Sequence, residues 1–236
     1  MQTLDTLNIS EAFPLLSTAT AETLELLGSV AVEHDYPAGR AVLMEDAWGN
    51  AVYFVVHGWV KVRRHGASDD DAAALAILGR GDFFGEMAVL DESPRSTDVV
   101  SMTQVKLLSV PAQQFVKILF NDPNLHHRML QLMVRRLRQT NYRFQLRDQA
   151  PAVKLVHTLV SLANAYGSEH TPGTVDIVNL SAQDLADLAD ISLNESKKIL
   201  VKLIEKGWIK PDAAQHLMHI QNMAQMSSLL NQVNSK

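Results

Sequence analysis

Residues 83–97 read Phe83-Phe84-Gly85-Glu86-Met87-Ala88-Val89-Leu90-Asp91-Glu92-Ser93-Pro94-Arg95-Ser96-Thr97. A Gly-Glu pair closes a run of β-forming residues, a short turn-prone segment follows, and an Arg-Ser-Thr triplet ends the stretch. One loop therefore gathers a carboxylate, a guanidinium, hydroxyls and backbone N–H groups. A carboxylate accepts from a sugar hydroxyl, while Arg95 and neighbouring N–H groups can fork onto a phosphate. A small sugar phosphate satisfies every one of these groups. The competing reading is a surface turn capped by an ion pair between Arg95 and Glu86 or Glu92. A lone Gly-Glu would favour that turn; the full string in its context favours the binding loop.

Outward from this loop, Val30 to Val110 is punctuated by Pro37-Ala38-Gly39, Trp48-Gly49-Asn50, His57-Gly58, Gly66 and Gly79-Arg80-Gly81. The runs between are short and β-type. Tyr53–Val56 and Trp59–Val62 read as a tight hairpin about His57-Gly58, with Val60 and Val62 alternating against Lys61 and Arg63. Many short strands, glycine turns and no long helix predict a small jelly-roll-like β-barrel. A metal-holding roll would need a His/Glu constellation. His34, His57 and His65 lie on different runs without a His-x-His pair, so no metal centre and no catalysis are expected. Asp69-Asp70-Asp71 reads as a solvated hairpin tip, since no Gly or bidentate Glu follows at calcium-loop spacing. Before the roll, Ser10–Leu16 and Ala21–Leu27 read as short helices, the second stopped by Gly28.

After the roll, Asp122-Pro123-Asn124 signals a helix start, and no Pro or Gly recurs until Pro151. Leu130, Met133, Leu137, Thr140, Phe144 and Arg147 recur at coiled-coil spacing. One helix leaving a small barrel cannot bury that stripe, so a parallel homodimer is expected. Thr140, with Asn141 beside it, puts a polar group on the seam, which costs stability unless something hydrogen-bonds it. Arg128, Arg135, Arg138 and Arg143 read as a solvated face, and Arg136 as a residue able to reach the binding loop.

Arg147–Pro151 breaks the seam and reads as a hinge. An amphipathic helix opens at Pro151 and closes at Gly167, and Thr174–Asn179 reads as a strand. Ser181–Asp184 and Ser192–Glu195 are two capping boxes, each opening a short helix. Trp208–Lys210 and Leu217–Ile220 follow as a β-wing, then a last helix over Gln225 to Val233. Two helices about a tight turn plus a β-hairpin make a winged helix-turn-helix. The fold class is α+β in three parts: a roll domain (1–122), a dimerisation helix and hinge (123–150), and the winged domain (151–236).

The formal net charge of −5 gives no global field for nucleic acid. Within 151–236, Lys154, Lys197, Lys198, Lys202, Lys206, Lys210 and Lys236 face a slightly larger set of carboxylates. Any DNA contact must therefore be a local patch. With no cysteine, disulfides and thiolate chemistry are excluded. Met1–Asp5 lacks a basic leader, and no apolar run reaches membrane-spanning length, so a cytoplasmic protein with no membrane partner is expected.

Nearly the whole chain resembles the catabolite activator (CRP/FNR) family of bacterial transcription regulators. Residues 83–97 are similar to the phosphate-binding cassette of cyclic-nucleotide-binding domains. Tyr36-Pro37-Ala38-Gly39-Arg40, Tyr53–Val60 and Gly81–Glu86 stand in the family's order and spacing. The resemblance implies a ligand set of Gly85, Glu86, Met87, Ala88, Arg95 and Ser96, completed by Thr140 and Asn141 on the long helix with Arg136 assisting. The family's usual residue at Asn141 is Ser. The implied effector is cyclic AMP, with cyclic GMP the other candidate; relatives also sense 2-oxoglutarate, haem-bound gas or cyclic di-GMP. The implied partners are double-stranded DNA and RNA polymerase, with no cofactor. Where many members carry Arg, Glu and a later Arg on the second helix, this chain has Leu193, Asn194 and Lys198. The implied DNA-binding set is then Asn194 for adenine, Lys198 for guanine, Lys197 and Lys202 for phosphates, and Ser192 at the start of the helix. The loss of bidentate arginine keeps a second reading open, a nucleotide-controlled module whose winged domain docks a protein.

Overall fold

The structure, a computed structural model, describes residues 6–64, 72–171 and 173–234. The Asp69–Asp71 tip, His65 and Gly66 lie outside them. Contacts divide the chain into two compact units, Met1–Ala72 with Ala76–Tyr142, and Ala73–Leu75 with Arg143–Lys236.

The first unit is built on strands β1 (Val32–Tyr36), β2 (Ala41–Leu43), β3 (Ala51–His57), β4 (Val60–Arg64), β5 (Ala73–Leu78, apart from its first three residues), β6 (Phe83–Phe84), β7 (Asp98–Ser101) and β8 (Val105–Pro111). They form two sheets, ordered β1-β8-β3-β6 and β2-β7-β4-β5. The expected hairpin about His57-Gly58 is corrected here: β3 and β4 belong to different sheets, and the turn carries the chain from one to the other. The reason is that β3 is apolar on both faces, a pattern that does not say which strand it pairs with. Val52 and Phe54 join a core with Phe13, Leu16, Leu24, Phe115 and Ile118, whereas Val55 joins Leu43, Phe84, Val99 and Leu107. Gly58 makes the crossing possible. Its φ is +85°, and a Cβ there would stand 2.3 Å from the Gln104 carbonyl oxygen.

Helices α1 (Thr6–Ala12), α2 (Ala21–Val30), α3 (Glu86–Leu90), α4 (Ala112–Asn121) and α5 (Pro123–Gln145) complete this unit apart from the last turn of α5. The first ends just before Phe13-Pro14, because the residue before a proline is pushed out of helical geometry. Gly28 does not stop α2, which runs on to Val30. Leu24 and Leu27 are buried on its inner face, and that packing outweighs the roughly 1 kcal/mol glycine penalty. The α5 start is as the Asp-Pro-Asn signal predicts. Asp122 accepts at Oδ1 from the backbone N–H of Asn124 (3.0 Å) and Leu125 (3.1 Å), and at Oδ2 from that of Thr20 (2.8 Å). One buried carboxylate thus starts α5 and ties it to the start of α2.

The stripe on α5 needs a shift. Leu130, Val134, Leu137 and Phe144 are 56, 48, 60 and 70% exposed, while Met133 packs against the roll's own core. The open line therefore runs through Leu130, Val134, Leu137, Asn141 and Phe144, with Asn141 instead of Thr140 at its polar position. Met133 and Val134 are both apolar, so spacing alone does not choose between them.

The second unit contains α6 (Pro151–Tyr166), β9 (Ser168–Thr171), β10 (Thr174–Val178), α7 (Ala182–Ala189), α8 (Leu193–Glu205), β11 (Ile209–Asp212), β12 (Leu217–Ile220) and α9 (Met223–Asn234). The wing is part of a four-stranded sheet, ordered β11-β12-β10-β9, whose edge strand β9 the sequence pattern did not reveal. Both capping boxes form, at Ser181/Asp184 and Ser192/Glu195, and Asp190 makes the turn between α7 and α8 at φ +51°. Buried Ser196 donates to the Ala182 carbonyl at 2.8 Å and locks α8 onto α7. The architecture is α+β, with a β-roll, a long helix and a winged helix-turn-helix.

Candidate functional site

The loop after β6 is set by Gly85. At φ +82° it begins α3, and a Cβ there would lie 2.7 Å from Arg95 Nη1, so no other residue fits without displacing the guanidinium. Gly49 approaches from another side, where a Cβ would meet Ala88 Cβ at 3.0 Å and Arg95 Cζ at 3.2 Å. The segment before β3 straps the loop through backbone bonds from Arg95 N–H to the Ala47 carbonyl (2.8 Å) and from Asp46 N–H to the Arg95 carbonyl (2.9 Å).

Arg95 is only 4% exposed. Its Nη2 donates to the Ala51 carbonyl at 2.6 Å and its Nη1 to the Gly85 carbonyl. Neither partner is an anion, and among the described residues no carboxylate lies within ion-pair distance of it. The capped-turn reading, which pairs Arg95 with Glu86 or Glu92, therefore does not describe this loop. Burial pulls the Arg95 pKa down, opposed by Tyr53 and Glu86. A buried cation whose own contacts are neutral carbonyls retains a strong preference for an anion.

Glu86 is as deeply buried, at 3% exposure. It accepts from Arg136 Nη1 at 2.5 Å, while Arg136 Nη2 donates to the Phe83 carbonyl at 2.7 Å and its guanidinium lies 4.3 Å over the Phe83 ring. Burial pushes the Glu86 carboxyl pKa up, and the charge and hydrogen bond of Arg136, with the more distant Arg95, act against that shift. Arg136 is thus the tie between the loop and α5.

Among the other sequence-derived residues, Ala88 is buried beneath the loop, while Met87 and Ser96 are exposed on it. Thr140 and Asn141 are exposed on α5. They lie one helical turn beyond Arg136, about 6 Å along the axis, and Thr140 Oγ1 donates to the Arg136 carbonyl at 3.1 Å. Glu86, Arg95 and Arg136 come together; Thr140 and Asn141 stand one turn away. Sequence reasoning missed the Ala51 carbonyl, which carries no side-chain signal, and the close approach of Gly49, where Trp-Gly-Asn had read only as a turn.

In the second unit Ser192, Asn194, Lys197, Lys198 and Lys202 are all exposed on or at the start of α8. Ser192 is committed to the cap: its Oγ donates to Glu195 Oε2 at 2.7 Å and accepts from the Glu195 N–H at 3.2 Å. These bonds hold the Glu195 pKa below its ordinary value, the Ser192 side chain contributing most. Lys154 on α6 reaches the turn before α8, donating to the Asp190 carbonyl at 3.3 Å. The exposed face joins an amide to three ammonium groups, the chemistry of a base edge flanked by phosphates.

Residues 33–122 match the family described as Cyclic nucleotide-binding domain. The chain is 27% identical to the CRP-like cAMP-activated global transcriptional regulator of Mycobacterium tuberculosis, over 75% of this chain and 79% of that protein. It is 27% identical to the Cyclic AMP receptor protein of Thermus thermophilus, over 84% and 88% respectively. A crystal structure of a CRP/FNR-family transcriptional regulator from Thermus thermophilus shares the fold, with a TM-score of 0.65 at 20% identity over 85% of this chain and 98% of that one. The roll with its Gly85-to-Ser96 loop is therefore a cyclic nucleotide-binding domain, joined by a long helix to a winged helix-turn-helix. That combination, and the relatives that resemble the chain over most of their length, support a likeness to the CRP/FNR family of transcription regulators. Among the described residues no helix is long and apolar enough to cross a membrane.

Proposed function

We propose that this protein is a cyclic-AMP-responsive, homodimeric, DNA-binding transcription regulator. The observation that carries the reading is Arg95, a buried guanidinium bonded to neutral carbonyls, beside a buried carboxylate tied to α5. The cyclic phosphate binds Arg95, with Ser96 and the N–H groups at the start of α3 around it, and the ribose hydroxyl donates to Glu86. Gly85, Met87 and Ala88 shape the loop, and Thr140 and Asn141 meet the base. Because Arg136 holds Glu86 from α5, any change in the partners of Glu86 is felt one turn from those two residues. The exposed line from Leu130 to Phe144 packs against a second copy as a parallel pair, which supplies the burial that its own unit does not. Nucleotide binding then shifts the population of dimer geometries and fixes the spacing of the two α8 helices at about one DNA turn. No covalent step is involved. RNA polymerase is the downstream partner that likeness to the family suggests.

Cyclic AMP is favoured by the names of the two relatives, and Asn141 presents both a donor and an acceptor to a purine edge. The lysine-only face of α8 favours one alternative output, in which the winged domain docks a protein. Selection of bound fragments from random DNA, with and without cyclic AMP, decides between them. The expected result is a two-fold symmetric site enriched only with the nucleotide. No enrichment, together with a protein captured by the winged domain, would replace DNA with a protein partner.

A further inference from the structure

The Arg95 guanidinium is held at the point where β3 and the end of β6 diverge: one arm bonds to the Ala51 carbonyl on β3, the other to the Gly85 carbonyl just past β6. Tyr53 stands at this fork. It lies two residues beyond Ala51, so its side chain is on the same face of β3. It is also the register partner of Phe84, the residue before Gly85. The Tyr53 and Phe84 rings stack with centroids 5.4 Å apart and planes at 9°. That stack fixes the phenol, leaving only its polar tip to be satisfied. Tyr53 is half-buried, and among the described residues its hydroxyl has no hydrogen-bond partner. A tyrosine with a packed ring and an uncommitted hydroxyl beside a buried guanidinium is a second donor aimed at whatever anion the guanidinium holds.

We infer that Tyr53 is a further ligand-binding residue of the cassette, its hydroxyl donating to a phosphate oxygen of the nucleotide held by Arg95. Burial and the neighbouring Tyr36 push its pKa up, against the pull of Arg95, so the phenol stays protonated and a donor at neutral pH. The inference rests on the nucleotide reading of the cassette and adds to it a contact that the loop sequence from Gly85 to Ser96 does not contain.

The test is calorimetric titration of the full-length protein with cyclic AMP and with the two diastereomers of its phosphorothioate analogue, each placing sulfur at one exocyclic phosphate position. Tyr53→Phe keeps the ring stack and removes one oxygen, so the thermal midpoint without nucleotide should not move. Its cyclic AMP affinity should fall about tenfold, the effect of one hydrogen bond to a charged acceptor. The affinity ratio between the diastereomers should also change, because only one of those positions loses its donor. Wild-type affinity in Tyr53→Phe overturns the inference and leaves the cassette standing. Weaker binding with an unchanged diastereomer ratio overturns it too, since that is the signature of a general packing effect. If wild-type protein does not bind cyclic AMP, or Arg95→Ala binds it as well as wild type does, the cassette reading fails and Tyr53 fails with it.

Discussion

Arg95 in the roll and Lys198 in the helix-turn-helix are both cations assigned to a phosphate-bearing partner, yet their surroundings differ in kind. Arg95 is 4% exposed, held by two backbone carbonyls and hemmed in by Gly49 and Gly85. Lys198 is exposed on α8. A buried charge has its geometry and its cost written into the fold, so the protein's own contacts state what it needs. An exposed lysine is satisfied by water whether or not DNA ever meets it. The roll can therefore be argued from the inside, while the reading surface of the winged domain acquires meaning only against its target.

The sharpest way to break that contrast is Arg95→Ala. Removing one member of a buried phosphate pair should cost about 2–5 kcal/mol in cyclic AMP binding, a loss of thirtyfold or more by titration calorimetry. Unchanged affinity would mean that the buried cation serves the roll alone.

Asp122 offers a control that is buried and polar but outside the cassette. Asp122→Ala removes the acceptor of two helix-start N–H groups and the bond from Thr20, and should lower unfolding stability by about 2–3 kcal/mol in a denaturant titration. Its pH dependence has a definite sign. Burial alone would raise its pKa, but the N–H groups of Thr20, Leu125 and Asn124 and the Thr23 hydroxyl hold it below the ordinary 3.8. The carboxylate therefore contributes fully above its unfolded value, and that contribution is lost as pH falls through the lower folded value. As pH falls below the ordinary 3.8, the wild type should lose more stability than Asp122→Ala. Parallel curves would show that the cap carries no net free energy.

The exposed side of the contrast should show smaller effects that separate by role. Lys198→Ala should cost about 1–3 kcal/mol on a preferred DNA site and relax its sequence preference. Lys197→Ala or Lys202→Ala should instead weaken binding to all sequences and reduce the salt slope by about 1. Identical behaviour of all three would deny α8 any base readout.

Smallest of all, Lys197→Ala should change unfolding stability by less than about 0.5 kcal/mol, as expected for a solvated surface side chain. A larger loss would show that the exposed face of α8 is also a structural one.

What the amino-acid sequence determined by itself was local. Asp122-Pro123-Asn124 starts α5, Pro151 starts α6, Ser192 and Glu195 close a capping box, and Gly85 takes a backbone conformation that other residues resist. Each follows from groups within a few residues of one another, where N–H acceptors and φ > 0 turns leave few choices. The cassette was legible for the same reason, its Gly-Glu and Arg-Ser lying on one short loop. Tertiary structure decided which partner each of these groups met. It sent β3 and β4 to different sheets, because a strand apolar on both faces does not name its neighbour. It put Met133 into the roll core and Val134 on the open line, two residues that periodicity treats alike. It gave Glu86 to Arg136, fifty positions away, and Arg95 to two carbonyls, contacts with no signature in any window of sequence. Local rules bound the conformation of the chain; the burial of distant groups against one another selects which of the allowed pairings form, and the candidate site is made of those pairings.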